Sequence, residues 1–113
     1  MRAMIGRSRR DRVRHEQIRE RIGVCPVLNK INSSHLRWLG HLKRMEEGRV
    51  ARGCWEWIPD GNRLRGRPRK RWNDTIDETL RRYDMPNIEA LRELEVFNDR
   101  TGWRNMLVAL TDV

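Results

Sequence analysis

Residues 27–47 carry a helical apolar pattern in the sequence VLNKINSSHLRWLGHLKRMEE. Apolar side chains recur there at spacings of three and four, which is typical of a helix that buries one face. The polar triplet at residues 32–34 is a point where this helix can be interrupted, and Gly48 is a helix-ending residue. The stretch therefore predicts a core-forming helix whose apolar positions are Leu28, Ile31, Leu36, Trp38, Leu39, Leu42 and Met45.

Helices are also predicted on both sides of this segment. Ser8 and Asp11 have the spacing of a capping box, which starts a helix over about residues 9–22. A helix over about residues 69–83 carries an apolar side chain at every fourth position, and a last helical region covers about residues 88–110. The apolar face of the 69–83 helix consists of Trp72, Ile76 and Leu80.

The segment between these helices has a different pattern. Residues 50–58 predict a short strand or an irregular apolar segment, in which alternation places Trp55 and Trp57 on one face. Residues 59–62, Pro-Asp-Gly-Asn, predict a turn. The expected fold class is therefore mainly α, a small helical module of about four helices with an irregular basic loop or a short β-hairpin insert near residues 50–68.

Composition and charge restrict the class of protein. The chain has 113 residues, of which 25 are Lys or Arg and 16 are Asp or Glu, so its formal net charge is +9. Residues 1–72 hold 20 of these cations and 7 of the acids, whereas residues 73–113 hold 5 and 9. We expect a single module over residues 1–113, with a basic half and a helical, mildly acidic half. The charge favours a polyanionic partner, nucleic acid before a membrane surface.

Several classes of function are not expected. Cys25, His35, His41 and Cys54 lie too far apart for the compact Cys/His pairs of zinc modules. No carboxylate pair, Ser-His-Asp set or Gly-rich phosphate loop has a recognisable spacing. The sequence therefore predicts no metal, no catalytic residue, no cofactor and no small-molecule substrate. No apolar run approaches the roughly 20 residues of a membrane span, and no secretory signal is recognisable.

The cellular compartment is only partly constrained by the sequence. Two cysteines are too few for a disulfide scaffold, which favours a reducing intracellular compartment. The arginine-rich run at residues 63–71 is consistent with nuclear import, but the same run is also explained by binding to a polyanion.

The densest basic segment is residues 63–71, Arg-Leu-Arg-Gly-Arg-Pro-Arg-Lys-Arg. In an extended chain, alternation places its odd-numbered arginines on one face. Gly66 allows close backbone approach and Pro68 disfavours a helix. The segment Arg65-Gly66-Arg67-Pro68 resembles an AT-hook, which places arginine in the minor groove of AT-rich DNA. The alternative is a solvated basic loop that contacts phosphates without sequence preference.

Twelve residues are predicted to bind nucleic acid. Eight lie in the basic run and four on the preceding helix, where His41 has either a structural or a binding role. They are Arg63, Arg65, Gly66, Arg67, Pro68, Arg69, Lys70, Arg71, Arg37, His41, Lys43 and Arg44.

The five tryptophans divide into two groups. Trp38, Trp72 and Trp103 lie within apolar helical stripes and are predicted to anchor the core. Trp55 and Trp57 either pack over the helices or stack on unpaired bases beside the basic loop.

Four blocks of sequence, in a fixed order, resemble one protein family. They cover residues 11–19, 36–45, 66–72 and 99–104. This ordered set is similar to the C-terminal segment of the endonuclease–reverse transcriptases of non-LTR, LINE-type retrotransposons. The resemblance implies a region beyond the polymerase domain that helps to hold template RNA or target DNA during target-primed reverse transcription.

The resemblance does not extend to catalysis. The paired aspartates of the family's polymerase and any counterpart of its endonuclease are absent from this sequence. The binding elements that it implies are residues 38–41, Trp-Leu-Gly-His, and residues 66–72. We therefore expect a nucleic-acid-binding C-terminal fragment without a catalytic core, which can pack on a polymerase domain that this chain lacks. The alternatives are a non-functional expressed relic of a retrotransposon and a stand-alone AT-hook-like DNA-binding protein.

Overall fold

The structure is a computed structural model that describes residues 1–67 and 69–112. Over these residues the chain forms six α-helices and no strand, and two short 3-10 turns, Arg2–Ile5 and Arg9–Asp11, precede the helices. The prediction of a mainly α fold is confirmed, whereas the β-hairpin alternative is wrong and the helices outnumber the four expected. The helices are α1 (His15–Ile22), α2 (Val27–Arg44), α3 (Val50–Glu56), α4 (Trp72–Arg82), α5 (Ile88–Glu93) and α6 (Arg100–Thr111).

The predicted N-terminal helix is divided in the structure. Its capping box is present, since the Ser8 amide donates to the Asp11 carboxylate at 2.6 Å. The first turn nevertheless ends at once, because Arg12 adopts a left-handed φ of 48°. α1 begins three residues later, at His15.

The predicted C-terminal helical region is also divided. α5 ends at Glu93, and Glu95 adopts a left-handed φ of 51° that prevents continuation of the helix. Asp99 then caps a new helix, because its carboxylate accepts a hydrogen bond of 3.0 Å from the Thr101 amide. Both helices reach the core, through Leu91 of α5 and through Trp103 and Leu107 of α6.

The segment around the tryptophan pair is helical rather than extended. Arg52 supports α3 from one side, with Nε donating to Glu56 Oε1 at 2.9 Å and Nη1 donating to the Met45 carbonyl at 2.6 Å. Trp55 lies within α3 and its indole Nε1 donates to Asn73 Oδ1, whereas Trp57 follows the last residue of the helix and is exposed. The two tryptophans do not form the shared face that strand alternation predicted.

The polar triplet at residues 32–34 does not interrupt α2. Ser34 Oγ donates to the Lys30 carbonyl, and Asn32 Nδ2 donates to the Tyr83 hydroxyl at 3.2 Å. The Tyr83 hydroxyl in turn donates to Asn29 Oδ1 at 3.4 Å. The two bonds of the Tyr83 hydroxyl join the first half of α2 to the residue that follows α4, so Asn29 and Asn32 stabilise the packing of these two helices.

The core lies where α2 packs against α4, α5 and α6. Trp103 of α6 is central, since its indole Nε1 donates to the Leu36 carbonyl of α2 at 3.1 Å. The ring lies directly over Gly40, where a Cβ atom would stand 2.4 Å from Nε1. Only glycine allows this approach. The buried cluster consists of Leu36, Leu39, Ile76, Leu80, Leu91, Phe97, Trp103 and Leu107.

The chain is less compact than a typical folded domain of its length. Its radius of gyration is 18.4 Å, whereas a compact domain of this size has about 13 Å. Its accessible surface is 9266 Å², against about 6,600 Å² for a typical folded chain of this mass. The core is correspondingly thin, and the basic segments lie outside it.

Candidate nucleic-acid interface

The basic run lies in a long loop, residues 57–71, between α3 and α4. Every residue of 60–67, together with Arg69 and Lys70, is exposed. Gly66 has a φ of 104°, and the chain bends at residues 65–67. The loop therefore does not form the straight, alternating arginine strip that an extended chain would present. Pro68, one of the predicted binding residues, lies outside the described residues.

The two ends of the basic run are attached to α4. Arg63 Nη2 lies 3.0 and 3.2 Å from the two carboxylate oxygens of Asp74. Lys70 Nζ lies 2.5 Å from Glu78 Oε2. These two cations are partly neutralised, and their ion pairs hold the loop beside the first turns of α4.

Asp74 has two roles at this attachment. Its Oδ2 accepts a hydrogen bond of 2.9 Å from the Arg71 amide, which satisfies a free N–H at the start of α4. That backbone hydrogen bond is the main reason why the pKa of Asp74 lies below its ordinary value of 3.8, and the Arg63 guanidinium lowers the pKa further. The carboxylate is therefore charged at neutral pH, and both contacts are retained there.

The middle of the run presents cations that are not paired. Arg65, Arg67 and Arg69 are exposed, and they have no acidic partner among the residues that the structure describes. Guanidinium groups in this state keep all of their N–H donors for an external anion. The loop therefore places three unpaired guanidinium groups between two ends that form ion pairs with α4.

The four predicted binding residues of α2 have different environments. Arg37 and His41 are exposed, whereas Lys43 and Arg44 are half-buried. Lys43 Nζ lies 4.5 Å from the centre of the Trp55 ring, and burial, followed by the charge of Arg92, lowers the pKa of Lys43. Lys43 is thus directed to a packing contact with α3.

Arg44 is held between α2 and the start of α6. Its Nη1 donates to the Phe97 carbonyl at 3.0 Å. Burial, followed by the nearby charge of Arg100, lowers the pKa of the Arg44 guanidinium. Arg44 is therefore fixed in position close to a second cation.

A cavity of about 400 Å³ lies between α2 and α6 beside this contact. Sequence reasoning missed two of its residues, Arg100 and Arg104, which are four apart on one face of α6. The signal was present, because Trp103 lies between them and Arg37, His41 and Arg44 recur at helical spacing on α2. Its lining consists of Arg37, His41, Arg44, Arg100, Trp103 and Arg104.

The tryptophans only partly follow the prediction. Trp103 is buried and Trp72 is half-buried against the core, with its ring edge-on to His35 at 6.3 Å. The prediction for Trp38 is wrong, since 47% of this residue is exposed and its ring lies 5.2 Å from that of His41. Trp38 occupies the solvent side of α2, opposite the buried Leu36 and Leu39.

Trp55 and Trp57 have separate environments. The Trp55 indole Nε1 donates to Asn73 Oδ1, and its ring packs against the core beneath Lys43. Trp55 therefore packs between α3 and α4. Trp57 is 68% exposed at the start of the loop.

Among residues 1–67 and 69–112, no group of three or more His, Cys, Asp or Glu side chains is arranged to hold a metal ion, and Cys25 and Cys54 are free thiols. Within the same residues, no helix has both the length and the apolar character needed to cross a membrane.

Comparison with known proteins gives one informative match. Over 98 residues, or 85% of its length, the chain is 30% identical to an uncharacterized transposon-derived protein of Caenorhabditis elegans. This chain is similar to a transposon-derived protein. It spans 35% of the length of that relative. No family model matches the chain, and no solved structure matches it.

Three of the four sequence blocks lie close together in the structure. Two of the blocks contact each other where Gly40 meets Trp103, 63 positions later in the chain. A third block ends at Trp72, which lies against His35 just before the second. The fold thus brings three of the four blocks to one region of α2.

Proposed function

We propose that this chain binds nucleic acid through the loop of residues 57–71, as a non-catalytic segment. The observation that carries the proposal is the set of three exposed arginines, Arg65, Arg67 and Arg69, without an acidic partner among the described residues. Guanidinium groups form paired hydrogen bonds with phosphate oxygens and release the counterions that the phosphates had condensed.

The attachment of the loop to α4 favours this role. The Arg63–Asp74 and Lys70–Glu78 pairs restrict both ends of the segment that carries the three arginines. A restricted loop loses less conformational entropy when a strand orders it. The paired cations thus position the unpaired ones.

We further propose that the chain corresponds to the C-terminal segment of a LINE-type endonuclease–reverse transcriptase. Support comes from the four ordered blocks and from the transposon-derived relative. The partner on this proposal is template RNA or target DNA. The chain would hold the strand while a polymerase domain elsewhere performs the chemistry.

The experiment measures fluorescence anisotropy of labelled AT duplex, GC duplex and single-stranded RNA over a salt series. For the unaltered protein we expect a log–log slope near −5 on duplex, from about six phosphate contacts. In Arg65→Ala/Arg67→Ala the slope should become shallower by about 2. Arg81→Ala/Arg82→Ala removes the same charge from the exposed end of α4 and should leave the slope nearly unchanged. An unchanged affinity of the loop variant for all three probes would refute the proposal.

The choice of probe separates two forms of the proposal. Preference for the AT duplex would assign an AT-hook-like role to Arg65-Gly66-Arg67-Pro68. Equal binding to the duplexes, or stronger binding to RNA, would agree with a retrotransposon tail that contacts phosphates.

A second candidate function is a packing segment that has no binding role of its own. The observation in its favour is an apolar stripe that remains exposed where α1 joins α2, with 43–54% of each residue accessible. On this alternative the stripe covers another part of a longer transposon protein, and the isolated chain is a relic. A flat thermal trace without a cooperative transition would favour it. The stripe consists of Val24, Val27, Leu28 and Ile31.

A further inference from the structure

We infer that the cavity between α2 and α6 is a binding site for a phosphate group. Its functional groups are the guanidinium groups of Arg44, Arg100 and Arg104, with Trp103 as one wall. All of its lining residues belong to α2 or α6, so the site is separate from the loop of residues 57–71. For a free phosphate the inference stands by itself, and for a phosphate within a strand it also rests on the proposed function.

The charge of the cavity selects an anion. Four arginines and one histidine line it, and no acidic side chain among the described residues does so. The guanidinium groups of Arg44, Arg100 and Arg104 line one space, and such like charges repel one another unless an anion lies between them. A phosphate group, with several oxygens arranged around one centre, can accept from more than one guanidinium fork.

The walls of the cavity are fixed before any ligand arrives. Arg44 is held by its 3.0 Å hydrogen bond to the Phe97 carbonyl, which uses one of its five N–H donors. Trp103 is held by its 3.1 Å bond to the Leu36 carbonyl and by its close approach to Gly40. A preformed wall lowers the ordering cost of binding, which distinguishes this cavity from a patch of mobile surface arginines.

The start of α6 places Arg100 and Arg104. Arg100 is the first residue of that helix and Arg104 lies one turn later, so both side chains project on the side of Trp103. Both are exposed, so they can reach an anion without a change of the core. At about 400 Å³ the cavity has room for a phosphate group together with the sugar that carries it.

The test uses the full chain and inorganic phosphate at constant ionic strength, with chloride as the reference anion. Nuclear magnetic resonance follows the side-chain signals of Arg44 Nε and Trp103 Nε1, which report on the cavity alone. We expect saturable shifts for phosphate and none for chloride. Arg104→Gln and Arg100→Gln should each weaken phosphate binding about tenfold, because each removes a charge-assisted contact. Arg82→Gln, an exposed arginine of α4 with the same charge change, should alter it less than about twofold.

Two results would overturn the inference. One is a shift that rises linearly without saturation, and the other is an equal loss of affinity in Arg104→Gln and Arg82→Gln. Circular dichroism melting of each variant ensures that a lost signal reflects the ligand and not the fold. Since Arg100 and Arg104 are exposed, neither substitution removes a core contact.

Competition with oligonucleotides identifies the source of the phosphate. A single strand with a 5′-phosphate, the same strand with a 5′-hydroxyl, and inorganic phosphate are compared for displacement from the cavity. Displacement by both strands assigns the site to backbone phosphates, displacement by the first alone assigns it to a strand end, and displacement by neither assigns it to free phosphate. If the strands bind and Arg104→Gln titrates like the unaltered protein, the cavity inference fails while the proposed function stands. If phosphate saturates the cavity and no strand binds, the proposed function fails while the cavity inference stands.

Discussion

Replacement of Gly40 by alanine should disrupt the contact on which the core is centred. A Cβ at this position would lie 2.4 Å from Trp103 Nε1 and 2.6 Å from Trp103 Cδ1. Ordinary contacts between such atoms are about 3.5 Å or longer, so the indole must retreat by about 1 Å. That retreat lengthens its 3.1 Å hydrogen bond to the Leu36 carbonyl beyond the normal range.

The expected cost follows from three effects. Overpacking of a buried site costs about 1–3 kcal/mol. Loss of the buried indole hydrogen bond costs about 1–3 kcal/mol, and the higher helix propensity of alanine returns about 1 kcal/mol. We therefore expect the free energy of unfolding to fall by about 3 kcal/mol, which lowers Tm by about 12 °C in a chain of this size.

Thermal and urea denaturation measure this change against a matched control. Gly53 lies inside α3, and a Cβ there would meet no atom within 4 Å, so Gly53→Ala should leave stability unchanged or raise it by up to about 1 kcal/mol. Trp103→Phe removes the part of the indole that clashes, so Gly40→Ala should cost much less in that background. If Gly40→Ala and Gly53→Ala have the same effect on Tm, the close approach of Trp103 to α2 does not support the fold.

Three other substitutions test separate contacts. Tyr83→Phe removes the hydroxyl that accepts from Asn32, and it should lower the free energy of unfolding by about 1 kcal/mol in a urea titration. Leu107→Ala, in the fully buried part of α6, should cost about 2–5 kcal/mol by the same measurement. The depressed pKa of Asp74 stabilises the fold above the pKa of the unfolded carboxyl, and this stability is lost as pH falls through the lower folded value. Nuclear magnetic resonance of the Arg63 side chain should therefore show release of the loop at acidic pH, and Asp74→Asn should remove that dependence; an Arg63 signal that does not change with pH would contradict the ion pair.

The sequence predicted the helices that have a strong apolar period. The stripe of α2 and the fourfold spacing in α4 are local patterns, and both helices form close to the expected bounds. The breaks were not predicted, because Arg12 and Glu95 adopt left-handed conformations that their side chains do not favour. Both residues are exposed and their backbone hydrogen bonds are local, so neither the apolar period nor a helix-breaking residue type marks these positions in the sequence.

The error at residues 50–58 has a similar origin. Two tryptophans in alternation with polar residues match a strand period of two. The segment forms a helix because Arg52 donates hydrogen bonds to Glu56 and to the Met45 carbonyl, and because the Trp55 indole donates to Asn73 of α4. Met45 and Asn73 lie outside the segment, so alternation within it was misleading.

Only the part of the candidate site that is formed by consecutive basic residues could be predicted from the sequence. The basic run was evident in the sequence, but its pairing with Asp74 and Glu78 depends on the direction in which α4 leaves the loop. The cavity residues Arg100 and Arg104 lie in the mildly acidic half of the chain, where the net negative charge does not indicate a basic site. Their partners on α2 are about 60 positions away, and only the packed helices bring the two sets together.

The pairing of α2 with α6 also determines when this chain can fold. Leu36 and Trp103 are 67 positions apart, and a ribosome adds about 5–20 residues per second. The apolar face of α2 is therefore synthesised roughly 3–13 seconds before its main partner exists. During that interval the nascent chain depends on chaperones or on local contacts to avoid aggregation. A product that stops before residue 103 would lack Trp103 and Leu107 of the buried cluster, and the face of α2 that they cover would stay exposed to solvent.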